Sequence, residues 1–72
     1  MSRHLQESFP AGLRQRREEL GLTQQELADI AGLISTAVAM IERGERLPNL
    51  DTAAHLCWAL DVAAGVSLEE LP

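Results

Sequence analysis

Between Ala28 and Ile41 the chain sets out a small residue, a glycine four places later, and apolar residues six and nine places after that glycine. Few arrangements satisfy this spacing. Two short helices that cross closely need a residue no larger than a methyl at the crossing, which Ala28 supplies. A reversal within two or three residues needs a left-handed backbone position, which Gly32 takes without steric cost. Leu33, Val38 and Ile41 then form the apolar side of the second helix, and Leu27 and Ile30 that of the first. Each residue alone is uninformative; together they describe a pair of helices joined by a very short turn.

The flanking sequence extends this into an all-helical chain. Pro occurs only at positions 10, 48 and 72, and there is no alternating β-branched run. Ser8 or Phe9 leads into a first helix with Pro10 in its first turn, where a missing N–H costs nothing. Phe9, Leu13, Arg17 and Leu20 share its inner face, and Gly21 stops it. Thr23 and Glu26 form a capping box that opens the second helix. Ser35 or Thr36 caps the third, which runs to Glu42 or Arg43 and ends at Gly44. The segment GERLPN is a loop. Asn49 caps a fourth helix, LDTAAHLCWAL, with Asp51 favourably placed in its first turn. Its expected buried stripe is Leu50, Ala53, Leu56, Cys57 and Leu60, with His55 and Trp58 off it. In the tail DVAAGVSLEELP, Ser67 could cap a last turn, or Asp61 could start a longer helix interrupted by Gly65.

Seventy-two residues fit one domain, which at this size buries only about 60% of its unfolded surface. A single Cys makes no internal disulfide. The N-terminus MSRHLQESFP has no apolar run for a signal peptide, and no stretch approaches the ~20 apolar residues of a membrane span. A soluble cytoplasmic domain is the expectation. Eleven acids against six bases give a net charge of −5, and all six bases are Arg. A nucleic-acid-binding domain is usually basic, so where the arginines fall matters more than the total. Catalysis has little support. His55 and Cys57 stand two apart on a helix and point to different sides. No Ser-His-acid order, phosphate loop or zinc spacing is present. Cys57 reads as a small core residue, and no metal or cofactor is implied.

Helices two and three form a helix-turn-helix arrangement. In LRQRREELGLTQQELA (13–28), AGL (31–33), IERG (41–44) and RLPNLDT (46–52), residues 9 to about 62 resemble the phage lambda repressor and Cro family, also called the XRE family. The resemblance implies a compact all-α domain of four to five helices and sequence-specific DNA binding, usually as a dimer controlling transcription. It divides the chain into an N-terminal tail (1–8), the helix-turn-helix domain (9–62) and a C-terminal helix or tail (63–72) that makes the dimer contact.

The resemblance also implies roles for particular residues. Arg17 pairs with Glu42, tying helix one to the end of helix three; an Arg on an apolar face needs such a partner. Gln24, at the start of helix two, holds a DNA phosphate alongside free helix N–H groups. Arg43 and Arg46 meet the DNA backbone after helix three, with Arg14 and Arg16 as further contributors. The base-reading positions fall on Ile34, Ser35, Thr36, Ala37 and Met40. Only Ser35 and Thr36 can hydrogen-bond there, while Ala37 and Met40 offer apolar contact, for example to a thymine methyl. Specificity then leans on DNA shape, water or the loop arginines.

Trp58 and the apolar tail (Val62, Ala63, Ala64, Val66, Leu68 and Leu71) either pack on each other, the tail folding back over Trp58, or form the homodimer contact that the resemblance implies for the C-terminal helix, and an exposed Trp favours the interface. Two functions follow. The first is a dimeric, repressor-type DNA-binding transcription regulator on double-stranded DNA, with half-sites ~34–36 Å apart. The second is a helix-turn-helix domain used as a protein-interaction module: an antitoxin, an anti-repressor or a partner subunit.

Overall fold

Glycines end three successive helices in the same way, and this sets where each helix points. A computed structural model describes residues 2–65, with side-chain surroundings from residue 9 onward. Among them are α1 (Ser2–Glu19), α2 (Gln24–Ala31), α3 (Ser35–Glu42) and α4 (Leu50–Ala63), and no strand. After α2, Gly32 adopts φ +74°, the Leu33 N–H donates to the Ala28 carbonyl at 2.8 Å, and the Gly32 N–H donates to Asp29 at 3.4 Å. After α3, Gly44 also has φ +74°, with Glu45 donating to Met40 at 2.9 Å and Gly44 to Ile41 at 3.0 Å. These are Schellman closures, which satisfy carbonyls the helix leaves open and reverse the chain at a position other residues enter only with strain.

The helix starts are capped as the sequence predicts at two places. The Thr23 hydroxyl accepts from the Glu26 N–H at 3.0 Å, and the Glu26 carboxylate accepts from the Thr23 N–H at 2.9 Å. The Asn49 side chain accepts from the Thr52 N–H at 2.8 Å. Helix α3 differs. Neither Ser35 nor Thr36 caps it; the cap position is Ile34, which makes no side-chain hydrogen bond. The short turn fixes the start instead. Ile34 is extended, its carbonyl accepts from Ala37 at 3.0 Å and Val38 at 3.4 Å, and Ser35 becomes the first helical residue.

Helix α2 packs on α3 and α4, and α1 packs on α3. Leu27, Val38, Ile41 and Leu56 are the large, fully buried side chains. Ala28 and Ala59 are also fully buried, as a close helix crossing demands. Leu13 and Ala31 complete the core, with Phe9, Ile30, Leu33 and Leu60 packed against it.

Two expectations are corrected. Helix α1 starts at Ser2 rather than at Ser8 or Phe9, so Pro10 lies inside it. The segment 2–8 holds no Gly or Pro to end a helix, and Pro10 is buried, with its ring 4.0 Å from where a side chain at Gly44 would begin. The buried stripe of α4 is also narrower than expected. Leu56 and Ala59 are buried and Ala53, Leu60 and Ala63 half-buried, while Leu50 is 86% exposed and Cys57 is exposed. Leu50 and Cys57, seven residues apart, share one edge of the helix, and that edge turns to solvent.

Leu56 comes from α4, yet it is fully buried in the core that α2 and α3 share. Leu56→Ala should cost about 2–5 kcal/mol, read as a lower urea midpoint at unchanged m-value.

Candidate nucleic-acid interface

Three helices converge on one carboxylate. Arg17 of α1 donates to Glu42 at the end of α3 through Nε (2.7 Å to Oε2) and Nη2 (2.9 Å to Oε1). Its third arm, Nη1, donates to the Leu22 carbonyl at 2.7 Å. Gln24, the first residue of α2, donates from Nε2 to Glu42 Oε1 at 3.1 Å. Arg17 and Glu42 are both buried, and no buried side-chain polar atom among the described residues lacks a partner. That completeness is what makes a buried ion pair tolerable. Burial pushes the Glu42 carboxyl up, but the hydrogen bonds from Arg17 and Gln24 outweigh it and hold the group below its ordinary value. The hydrogen bond to Glu42 raises Arg17 in turn.

Gln24 therefore stands where the sequence predicts, at the N-terminus of α2, with its amide already engaged. The other N–H of that amide and the first-turn backbone N–H groups are what it can offer an anion.

On α3, Thr36 is exposed and Ser35, Ala39 and Met40 are half-buried. Ala37 is buried, only 8% exposed, and is corrected out of the reading surface. It lies beside Val38 on the inward side, because the helix is turned by Val38 and Ile41 facing the core. Ala39, four residues after Ser35 and so on the same face, joins the outer surface, and the sequence reading missed it. Ile34, at the cap, is 69% exposed. The outward face is thus Ser35, Thr36, Ala39, Met40 and, one turn on, Arg43.

The loop arginines differ from one another. Arg43 is exposed and gripped by Glu45, with Nε at 2.6 Å from Oε2 and Nη2 at 3.2 Å from Oε1. The hydrogen bond from Arg43 holds the Glu45 carboxyl below its usual range. Arg46 is exposed and makes no ion pair among the described residues. On α1, Arg14 and Arg16 pair loosely with Glu18 and Glu19, each at 3.6 Å. Trp58 is 51% exposed on α4. The remaining expected dimer residues, Val66, Leu68 and Leu71, lie outside the described residues.

Among the described residues, no group of three His, Cys, Asp or Glu side chains could hold a metal ion, and no helix is long and apolar enough to cross a membrane. A helix-turn-helix family profile matches residues 13–71. An uncharacterized HTH-type transcriptional regulator from Methanothermobacter thermautotrophicus is 40% identical over 48 residues, covering 67% of this chain and 70% of the relative. No solved structure matches significantly.

Glu42→Ala should cost about 3–5 kcal/mol, because it leaves Arg17 buried and unpaired. The pair also sets a pH dependence. A carboxyl depressed on folding stabilises above its ordinary value, 4.5, and loses that contribution as pH falls through the folded value. Thermal melts of wild type and Glu42→Gln should therefore differ most near neutrality and converge below pH 4.5. A gap constant with pH would rule the pair out as its source.

Proposed function

Because the chain belongs to the lambda repressor/Cro-like (XRE) helix-turn-helix family, we propose that it is a sequence-specific DNA-binding transcription regulator that lays α3 in the major groove. The observation that carries this reading is the α2–turn–α3 frame, locked by Arg17, Gln24 and Glu42, with the outer side of α3 left open to a ligand. Ser35 and Thr36 supply the polar base contacts, and Ala39 and Met40 the apolar ones. Gln24, Arg43 and Arg46 meet phosphates, positioning the domain without reading sequence.

The regulator acts as a homodimer of repressor type on a palindromic operator. The exposed face of α4 supports this: Leu50, Trp58 and Val62 are 86%, 51% and 42% exposed, and exposed apolar residues gathered on one element suit a protein contact. Val66, Leu68 and Leu71, expected from the sequence to join the dimer contact, lie outside the described residues. No catalytic role is proposed. The second reading, a protein-interaction module, draws on the exposed Ile34 and the scarcity of hydrogen-bonding groups on α3.

Selection of the protein on a random duplex pool separates the two readings. Enrichment of a palindrome supports the regulator; no enrichment even at low salt favours the module. Sedimentation should show a dimer in the micromolar range, and Trp58→Ala should shift it to monomer. For DNA, Arg46→Ala should weaken binding to all sequences alike and reduce the salt slope by about 0.9, the counterion release of one phosphate contact.

A further inference from the structure

Arg43 ends α3 on the side that presents Thr36 and Met40, so its guanidinium is the strongest phosphate ligand next to that face. In the structure it already holds a carboxylate. The contact to Glu45 is two-pronged, at 2.6 and 3.2 Å. An exposed ion pair usually contributes little, because two long side chains must be ordered to make it. Here much of that ordering is done by the backbone. The Schellman closure at Gly44 ties the Glu45 N–H to the Met40 carbonyl at 2.9 Å, which brings residue 45 back beside residue 43. The pair is thus built into the turn that ends α3.

We propose that Glu45 is an electrostatic brake on DNA binding: its carboxylate occupies the Arg43 fork that a phosphate would otherwise take. The inference rests on the DNA-binding reading above. A phosphate that recruits Arg43 must displace Glu45, and the released carboxylate then stands next to the phosphate as a like charge. Both effects weaken backbone attraction at this end of α3, and neither touches a base, so the brake acts on all sequences. Of the two loop arginines, Arg46 remains to attract DNA at long range, and Arg43 contributes only after exchange.

The test is a double-mutant cycle on the full chain, with binding to a random-sequence 30-base-pair duplex followed by fluorescence anisotropy between about 50 and 200 mM salt. Glu45→Gln keeps the side chain's size and removes the charge. It should bind more tightly than wild type with a salt slope steeper by about 0.9, so that its advantage is about threefold larger at 50 than at 200 mM salt. In an Arg43→Gln background the same substitution should gain clearly less, because only the like-charge repulsion is left to relieve. Asp29→Asn removes an equal charge from an exposed position on α2 and should leave the slope unchanged. Circular dichroism melts check that each variant is folded. The brake is overturned if wild type binds and Glu45→Gln binds no better, if the gain is undiminished without Arg43, or if Asp29→Asn reproduces it. If neither wild type nor Glu45→Gln binds at the lowest salt, the DNA-binding reading fails and the brake with it.

Discussion

The buried carboxylate of Glu42 is the contact on which the rest of the arrangement depends. It sits at the last residue of α3 and accepts from Arg17 on α1 and Gln24 on α2. An ion pair in this position is stable only when every partner is in place, because each group left bare pays its full desolvation penalty. Satisfying Glu42 therefore fixes three helices relative to one another. It also fixes the end of α3, hence the Gly44 turn, and hence where Arg43 and Glu45 stand. The apolar core alone would permit a looser crossing. Its small members, Ala28, Ala31 and Ala59, bring backbones close but direct them less sharply than a bidentate bond does.

Charge is distributed unevenly along the chain. All six arginines lie at or before position 46, and Asp51, Asp61, Glu69 and Glu70 follow with no base among them. The net charge of −5 thus conceals a polarity, with the arginines carried by the segments around α1 and α3 and uncompensated acids on the C-terminal side. Within the arginine-bearing part, Arg14, Arg16, Arg17 and Arg43 are each matched to a glutamate. Exposed pairs of this kind add little stability, but they flatten the local field. On the proposed DNA-binding reading, an incoming polyanion would meet, among the described residues, arginines already paired with glutamates apart from Arg46, which would shorten the range of electrostatic steering.

Much of the frame was legible in the sequence because it rests on residues with one dominant physical use. Gly32 and Gly44 mark reversals, Thr23 with Glu26 and Asn49 mark helix starts, and a lone Arg17 on an apolar face demanded an acidic partner. The misreadings share a different cause. Pro10 suits the first turn of a helix, where its missing N–H costs nothing, whereas here its ring is used in packing and the helix extends upstream. Ser35 and Thr36 are good caps, but the length of the turn after Gly32 decides the start of α3 and passes the cap to Ile34. Ala37 and Ala39 are chemically alike, and only the rotation of α3 set by Val38 and Ile41 puts one inside and the other out. Leu50 and Cys57 look like core by composition, yet a helix with apolar residues all round does not announce which side is buried. The Arg43–Glu45 pair was invisible for a geometric reason: residues two apart on a helix diverge, and these two meet only because Gly44 bends the chain between them.

The outer face of α3 then constrains how such a domain can discriminate. Apart from Arg43 at its end, which Glu45 already holds, its polar groups are the hydroxyls of Ser35 and Thr36, and neither hydroxyl can form the bidentate base contact that contributes about 1–3 kcal/mol of discrimination. With direct readout this thin, specific and non-specific binding lie closer together than in a reader armed with Arg or Gln. Strong phosphate attraction would not widen that gap, since it raises occupancy of every site and leaves the ratio unchanged. The shortage of reading groups on α3 and the pairing of the cations around it thus go together: on the proposed DNA-binding reading, neither base contacts nor phosphate contacts at this face are strong, and groove shape carries more of the discrimination.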